Sequence, residues 1–257
     1  MTEVKPSIVA RLRAAGCVFA EDEAEMLVAE AGTAGQLEEM VVRRVSGLPL
    51  EHVLGWAEFC GLRIKVQERV FVPRPRTEFL AGQAIEIASR LRQPVVVDLC
   101  CGSGALGAAM ISAVAGTRLY AADIDPVAVS CARGNLASSG EVFQGDLYEA
   151  LPPALRGGVD VLVANVPYVP TDDVALMPRE ARLYEALVAL DGGRDGLDVL
   201  RRVAAGAPDW LAPGASLLIE TSERQAPRAV EIFKECGLVP RVTRSEELEA
   251  TVVIGHN

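Results

Sequence analysis

The spacing of apolar positions changes character along this chain, and the change falls near Pro73. Before it, apolar residues recur at helical intervals in three short stretches. Ile8, Val9 and Leu12 share one face; Ala24, Leu27, Val28 and Ala31 a second; Leu37, Met40 and Val41 a third. Gly16, Gly32 and Gly35 punctuate them. Between Phe59 and Val72 the period shortens: Leu62, Ile64 and Val66 alternate with polar neighbours, which predicts a strand. Gly61 or the Gln67-Glu68 region supplies the turn of a hairpin. Residues 1–72 are expected to form a small helical domain that ends in a β-hairpin.

After Pro73 strand and helix patterns alternate, as in a parallel sheet covered on both faces. Val95–Leu99 predicts a strand, followed by a glycine-rich turn and an apolar helix over Leu106–Ala115. Arg118–Ala122 is a second strand with its helix at Pro126–Ala137, and Val142-Phe143 marks a third. Val159–Ala164 and Ala215–Ile219 add two more, and Val239–Val242 with Thr251–Ile254 close the series. The expected second domain, residues 73–257, is a seven-stranded, doubly wound, Rossmann-like α/β sheet.

Half of the 257 residues are hydrophobic, enough for a large core and too many for a disordered chain. The net charge of −10 argues against a nucleic-acid backbone as the main partner, since that needs clustered Lys and Arg. Six cysteines without a C-x-x-C pair, and only two histidines, give no metal-ligand spacing, so no metal is expected. No secretory pattern opens the sequence and no apolar run is long enough to span a membrane. A cytoplasmic, monomeric protein with reduced thiols is the expectation.

The candidate chemistry lies at strand ends, where open α/β sheets bind ligands. Asp98-Leu99-Cys100-Cys101-Gly102-Ser103-Gly104 links the first strand to its helix, and Gly107 completes a G-x-G-x-x-G spacing. That spacing alone is weak evidence for a dinucleotide. Asp98, directly before the loop, suits a cofactor with a cationic amino-acid end better than a pyrophosphate. Asp123 ends the second strand, where a carboxylate can accept both hydroxyls of a ribose. Asp146, after the third, stands where an adenine amino group could be read. Each Asp alone reads equally well as a cap or turn residue, and Asp125 before Pro126 reads as a helix cap. Together with the loop they describe a pocket for S-adenosyl-L-methionine.

Asn165-Val166-Pro167-Tyr168 follows the fourth strand. By itself it is a proline turn. At a ligand-binding edge, the Asn165 amide oxygen and the Val166 carbonyl are two acceptors for a planar NH2 group, and Tyr168 offers a ring face. This combination points to chemistry on an amide or amino nitrogen.

With these pieces in place, the chain resembles the HemK/PrmC family of protein-(glutamine-N5) methyltransferases. The shared stretches include Pro49–Gly55, Phe71–Glu78, Asp98–Gly104, Ala122-Asp123, Gly145-Asp146, Asn165–Tyr168, Leu183–Glu185 and Ala189–Leu197. The resemblance implies a class I methyltransferase fold. It implies cofactor contacts from Asp98, Cys100–Gly104, Asp123, Asp146, Leu147 and Asn165, and amide-holding by Asn165, Val166, Pro167 and Tyr168. It further implies that Pro73–Glu78 borders the site, and that the helical N-terminal part helps recognise a protein bearing the target glutamine. In this family that protein is a peptide-chain release factor with a Gly-Gly-Gln motif. Four positions depart from the family pattern: Val166 replaces a Pro, Arg76 an acidic residue, Ala186 a Pro, and Ser222 a frequent Gly. They mark a divergent paralogue.

Two other readings stay open at this stage. An amino methyltransferase acting on adenine or a small molecule would use the same Asn-x-Pro-Tyr device; a basic, aromatic flank would favour it. A cofactor-binding interaction module without turnover would tolerate the altered motif, and a labelled-methyl assay separates it from both enzymes.

Overall fold

The computed structural model describes residues 4–137 and 139–257, with side-chain surroundings from Lys5 onward. Helices α1 (Val4–Ala14), α2 (Ala20–Glu30), α3 (Ala34–Val45) and the short α4 (Leu50–Leu54) come first. Their apolar faces make a separate cluster that includes Ile8, Leu12, Ala24, Leu27, Val41 and Val53. Thr33 caps α3 by accepting from the Gln36 amide at 3.1 Å. Strands β1 (Trp56–Phe59) and β2 (Leu62–Lys65) form the expected hairpin, and the turn is at Cys60-Gly61 rather than Gln67-Glu68. Its Phe59 and Ile64 sink into the core of the larger sheet.

Helix α5 (Thr77–Ala88), which the expectations above omit, leads into β3 (Val95–Leu99), α6 (Ala105–Ala113), β4 (Arg118–Asp123), α7 (Pro126–Leu136) and β5 (Gly140–Gln144). Then follow β6 (Val159–Ala164), α8 (Arg179–Tyr184), α9 (Asp198–Trp210), β7 (Leu211–Thr221), α10 (Ala226–Glu235), β8 (Val239–Ser245) and β9 (Ala250–His256). The seven strands run in the order β5-β4-β3-β6-β7-β9-β8, parallel except for β9, which pairs antiparallel with β7 and β8. The order reverses direction between β3 and β6, and there the strand ends leave a crevice.

The central strands are apolar on both sides because both faces are covered. Val97, Leu162 and Leu217 face α9 and α10, while Val96, Val161, Val163 and Leu218 face α5 and α6. Alanines at 81, 84, 88, 105 and 109 let those helices lie close to the sheet. Gly107 of α6 is a point of contact: a Cβ there would come within 2.6 Å of Leu119. Asp125 is a cap, as expected, accepting from Val127 N at 2.8 Å ahead of Pro126. α9 carries an apolar stripe of Leu200, Val203, Ala204 and Ala207. Strand β7 begins at Leu211, four residues before the expected Ala215.

Candidate active site

Beyond the ends of β3, β4 and β6 lies one cavity of about 480 Å³, a size suited to a small-molecule site. It gathers nine of the sequence candidates on its wall: Cys100, Cys101, Gly102, Ser103, Asp123, Asn165, Val166, Pro167 and Tyr168. Asp98, Gly104, Asp146 and Leu147 are not on that wall.

The loop after β3 turns through left-handed residues at Cys100 (φ 56°), Gly102 (φ 56°) and Gly104 (φ 78°). Cys100 is the unusual one, since a side chain there costs about 1–2 kcal/mol of backbone strain. Burial pushes the Cys100 and Cys101 thiols well up, so neither is a ready nucleophile. All six cysteines are free. Asp123 ties the loop to the next strand, accepting from Gly102 N through Oδ2 and from Asp125 N through Oδ1, both at 2.9 Å. Beside it Ile124 is half exposed on the cavity wall.

A nucleoside carrying a cationic amino-acid tail fits this half of the cavity. A Cβ on Gly102 would meet nothing within 4 Å, so bare backbone borders the space. Asp123 presents a carboxylate to the cavity, the kind of group a diol would need, and Ile124 with Val199 presents apolar surface of the kind a base would need. Arg202 also lines the cavity and holds the Asp146 carboxylate at 2.7 Å, which keeps Asp146 at the margin. Leu147 is buried at φ 48°.

Asp98 lies beneath the loop, fully buried. Its Oδ2 accepts from Gly107 N at 3.1 Å and its Oδ1 has no partner. Burial raises its pKa from 3.8 to about 7. The folded protein therefore retains a proton that the unfolded chain loses, and stability falls as pH rises from about 4 through about 7, by up to roughly 4 kcal/mol. Asp98→Asn is expected to flatten that fall. Urea unfolding of the cofactor-free protein at pH 5 and pH 8 checks it, an unchanged difference between the two pH values being the contrary result.

The second half of the cavity is built on the loop after β6. Asn165 Nδ2 donates to Thr77 Oγ1 at 3.3 Å, which leaves Asn165 Oδ1 free, and no donor among the described residues takes the Val166 carbonyl. The Val166 side chain is buried in the core. Tyr168 hydroxyl donates to Glu220 Oε1 at 3.1 Å, and Arg76 lies over the Tyr168 ring with Nε 3.5 Å from Glu220. Glu220, at the end of β7, is 2% exposed and its Oε2 has no partner. Burial raises its pKa, while Thr77, Arg76 and Tyr168 oppose the shift by favouring the carboxylate.

Gln225 fixes the loop from behind. Its Nε2 donates to the Tyr168 carbonyl at 2.9 Å and the Asp195 carbonyl at 3.0 Å, and Ser222 hydroxyl donates to its Oε1 at 2.6 Å. Ser222 thus makes a bond that a glycine could not. Gly196 passes so close that a Cβ would come within 2.3 Å of the Tyr168 carbonyl oxygen. Ala186 has a similar explanation: its N–H donates to the Arg69 carbonyl at 3.2 Å, a bond a proline would forfeit.

Several residues between Met177 and Ala189, Glu180 and Glu185 among them, also border the cavity. The helical N-terminal part reaches this border through Arg44, whose guanidinium bonds Glu23 and, at 2.6 Å, Glu180 of α8. Sequence reasoning placed Thr77 within a segment bordering the site but did not single out Glu220, Gln225 or Arg202 as site residues. Glu220 carried a usable signal, an acid at the end of a buried strand; for the others the sequence offers none.

This sheet order and this cavity define a Rossmann-like methyltransferase. A family model for the Methyltransferase small domain matches residues 78–196. The release factor glutamine methyltransferase of Streptomyces coelicolor is 38% identical over 200 residues, 77% of this chain and 71% of its own length. That of Bifidobacterium longum is 31% identical over 278 residues, covering 95% of this chain and 94% of the relative. A methyltransferase structure from Pyrococcus furiosus matches with a TM-score of 0.56 at 15% identity, over 76% of this chain and 89% of that one. The chain belongs to the release factor glutamine methyltransferase family. Among the described residues no helix is long and apolar enough to cross a membrane, and no group of three or more His, Cys, Asp or Glu side chains could hold a metal ion.

Proposed function

We propose that this protein methylates the side-chain amide nitrogen of a glutamine in a protein, with S-adenosyl-L-methionine as donor and the Gly-Gly-Gln motif of a release factor as target. The observation that carries this reading is a pair of free acceptors, Asn165 Oδ1 and the Val166 carbonyl, in one cavity with the glycine loop and Asp123. When bound, the cofactor supplies a methyl group activated by a sulfonium sulfur. Cys100–Ser103 and Asp123 would hold it, with Ile124 and Val199 against its base.

An amide nitrogen is a weak nucleophile because its lone pair is shared with the carbonyl. The residues' main task is alignment, which can supply several kcal/mol of the barrier. Asn165 Oδ1 and the Val166 carbonyl accept the two N–H hydrogens, orient the nitrogen and stabilise positive charge as it grows there. The Tyr168 ring walls the same space. A strong general base is not required, since the nitrogen becomes acidic on alkylation; either acceptor can hold the proton before water takes it. Val166 serves as well as proline here, because the role belongs to its carbonyl.

The helical N-terminal part, which contacts α8 through Arg44, would present the release factor to the cavity. The test is mass spectrometry of release factors incubated with purified protein and cofactor. A gain of one methyl on the Gly-Gly-Gln glutamine is expected. Label found in nucleic acid, or no transfer to any protein, overturns the proposal.

A further inference from the structure

We propose that Asn135 of α7 is a positioning residue for S-adenosyl-L-methionine: its side-chain amide staples the cofactor loop to the β-hairpin and thereby sets the cofactor's affinity. The inference rests on the cofactor placement proposed above. Asn135 is not on the cavity wall, and it sits in the last turn of a helix rather than at a strand end. Its amide nevertheless makes three well-formed bonds. Nδ2 donates to the Ser103 carbonyl and to the Lys65 carbonyl, both at 2.8 Å, and Oδ1 accepts from Lys65 N at 2.9 Å. Two carbonyls and one N–H around a single amide fix its direction, because the flipped form would set oxygen against both carbonyls.

The two ends of the staple are not equally dependent on it. Lys65 ends β2, and Asn135 engages both its N–H and its carbonyl, much as a facing residue in an antiparallel ladder would. The Cys131 thiol, one turn earlier on α7, reaches the same Lys65 carbonyl at 3.2 Å, so the hairpin has a second hold on this helix. The Ser103 carbonyl has no second donor among the described residues. Ser103 lines the cavity between two left-handed glycines, Gly102 and Gly104, where the backbone has little stiffness of its own. Gly104 rests on the same helix, since a Cβ there would come within 3.2 Å of Ala132 and Leu136. Asp123 accepts from Gly102 N at 2.9 Å. The loop is thus held at two points, by Asp123 at the end of β4 and by Asn135 on α7. Asp123 borders the cavity itself, whereas Asn135 acts on a ligand only through the loop.

The test must separate loop positioning from simple loosening of the hairpin. Asn135→Asp, Asn135→Ala, Gln67→Ala and Asp123→Ala are titrated calorimetrically with S-adenosyl-L-methionine. Asn135→Asp keeps the shape and the acceptor for Lys65 N but sets oxygen against the two carbonyls; Asn135→Ala removes the staple without that repulsion. Gln67→Ala cuts a separate bond between this segment and α7, from Gln67 Nε2 to the Val127 carbonyl at 3.3 Å, and leaves Ser103 untouched. The cofactor Kd is expected to rise about tenfold in Asn135→Asp and about fivefold in Asn135→Ala, and to stay within about twofold of wild type in Gln67→Ala. Single-turnover transfer to a release factor at saturating cofactor is expected to stay within about twofold of wild type in these three variants, a split that general damage to the fold would not give. Thermal melting of the cofactor-free proteins confirms that each is folded, and Asn135→Ala carries the test if Asn135→Asp is not. An unchanged Kd in the Asn135 variants, with Asp123→Ala raising it, overturns the staple. An equal rise in Gln67→Ala overturns it too, since hairpin packing alone would then account for the effect. An unchanged Kd in Asp123→Ala as well overturns the cofactor placement instead, so the two failures are distinct.

Discussion

Asn165→Ala is expected to remove methyl transfer while leaving the cofactor in place. The substitution deletes one of two acceptors aimed at the nitrogen, and loss of one preorganised hydrogen-bonding group of this kind costs about 10²–10³-fold in kcat. The remaining Val166 carbonyl cannot orient the NH2 alone, because one acceptor leaves rotation about the other N–H free. Cofactor affinity should change little, since the glycine loop and Asp123 are anchored by their own backbone bonds. Single-turnover transfer to a release factor, with calorimetric titration of S-adenosyl-L-methionine, measures both. Near-normal turnover by this variant would sink the assignment of Asn165 and the reading built on it.

Asp123→Ala is expected to act in the opposite order, raising the cofactor Kd about 10²-fold or more before any effect on the chemical step. A carboxylate on a diol makes charge-assisted bonds worth about 1.5–3 kcal/mol each. The structure adds a second cost. Asp123 also accepts from Gly102 N and Asp125 N, so its removal loosens the loop that shapes the cofactor half of the cavity. Asp123→Asn separates the two contributions, because its amide oxygen can keep one backbone bond while the charge is lost. A Kd for Asp123→Ala within threefold of wild type would show that the carboxylate is not on the cofactor.

The buried strands were legible because a strand covered on both faces must be apolar almost throughout, as in Val95–Leu99 and Val159–Ala164. The residues gathered on the cavity wall at their ends were legible for a related reason: Gly102, Asp123 and Asn165 are polar or conformationally special residues close after apolar runs. Helix α5 was less so, since its buried alanines give a weak periodic signal behind a proline-rich segment. The departures from the family pattern could be seen in the sequence but explained only in the structure. Ala186 and Ser222 each make a hydrogen bond that the usual residue could not, and Val166 keeps its carbonyl free.

By itself the sequence determined the architecture, the edge of the sheet where the cavity opens, and the kind of atoms offered there. Period and strand-end residue type are local properties, so no long-range information was needed. Which candidates share the cavity was decided only by tertiary structure: Asp98 lies beneath the loop, and Asp146 is held at the margin by Arg202. So was the direction of the Asn165 amide. Its partner Thr77 is 88 residues away in sequence, and Tyr168 meets Glu220 across 52. Burial and hydrogen-bond polarity belong to the folded neighbourhood, because each depends on what distant segments bring alongside.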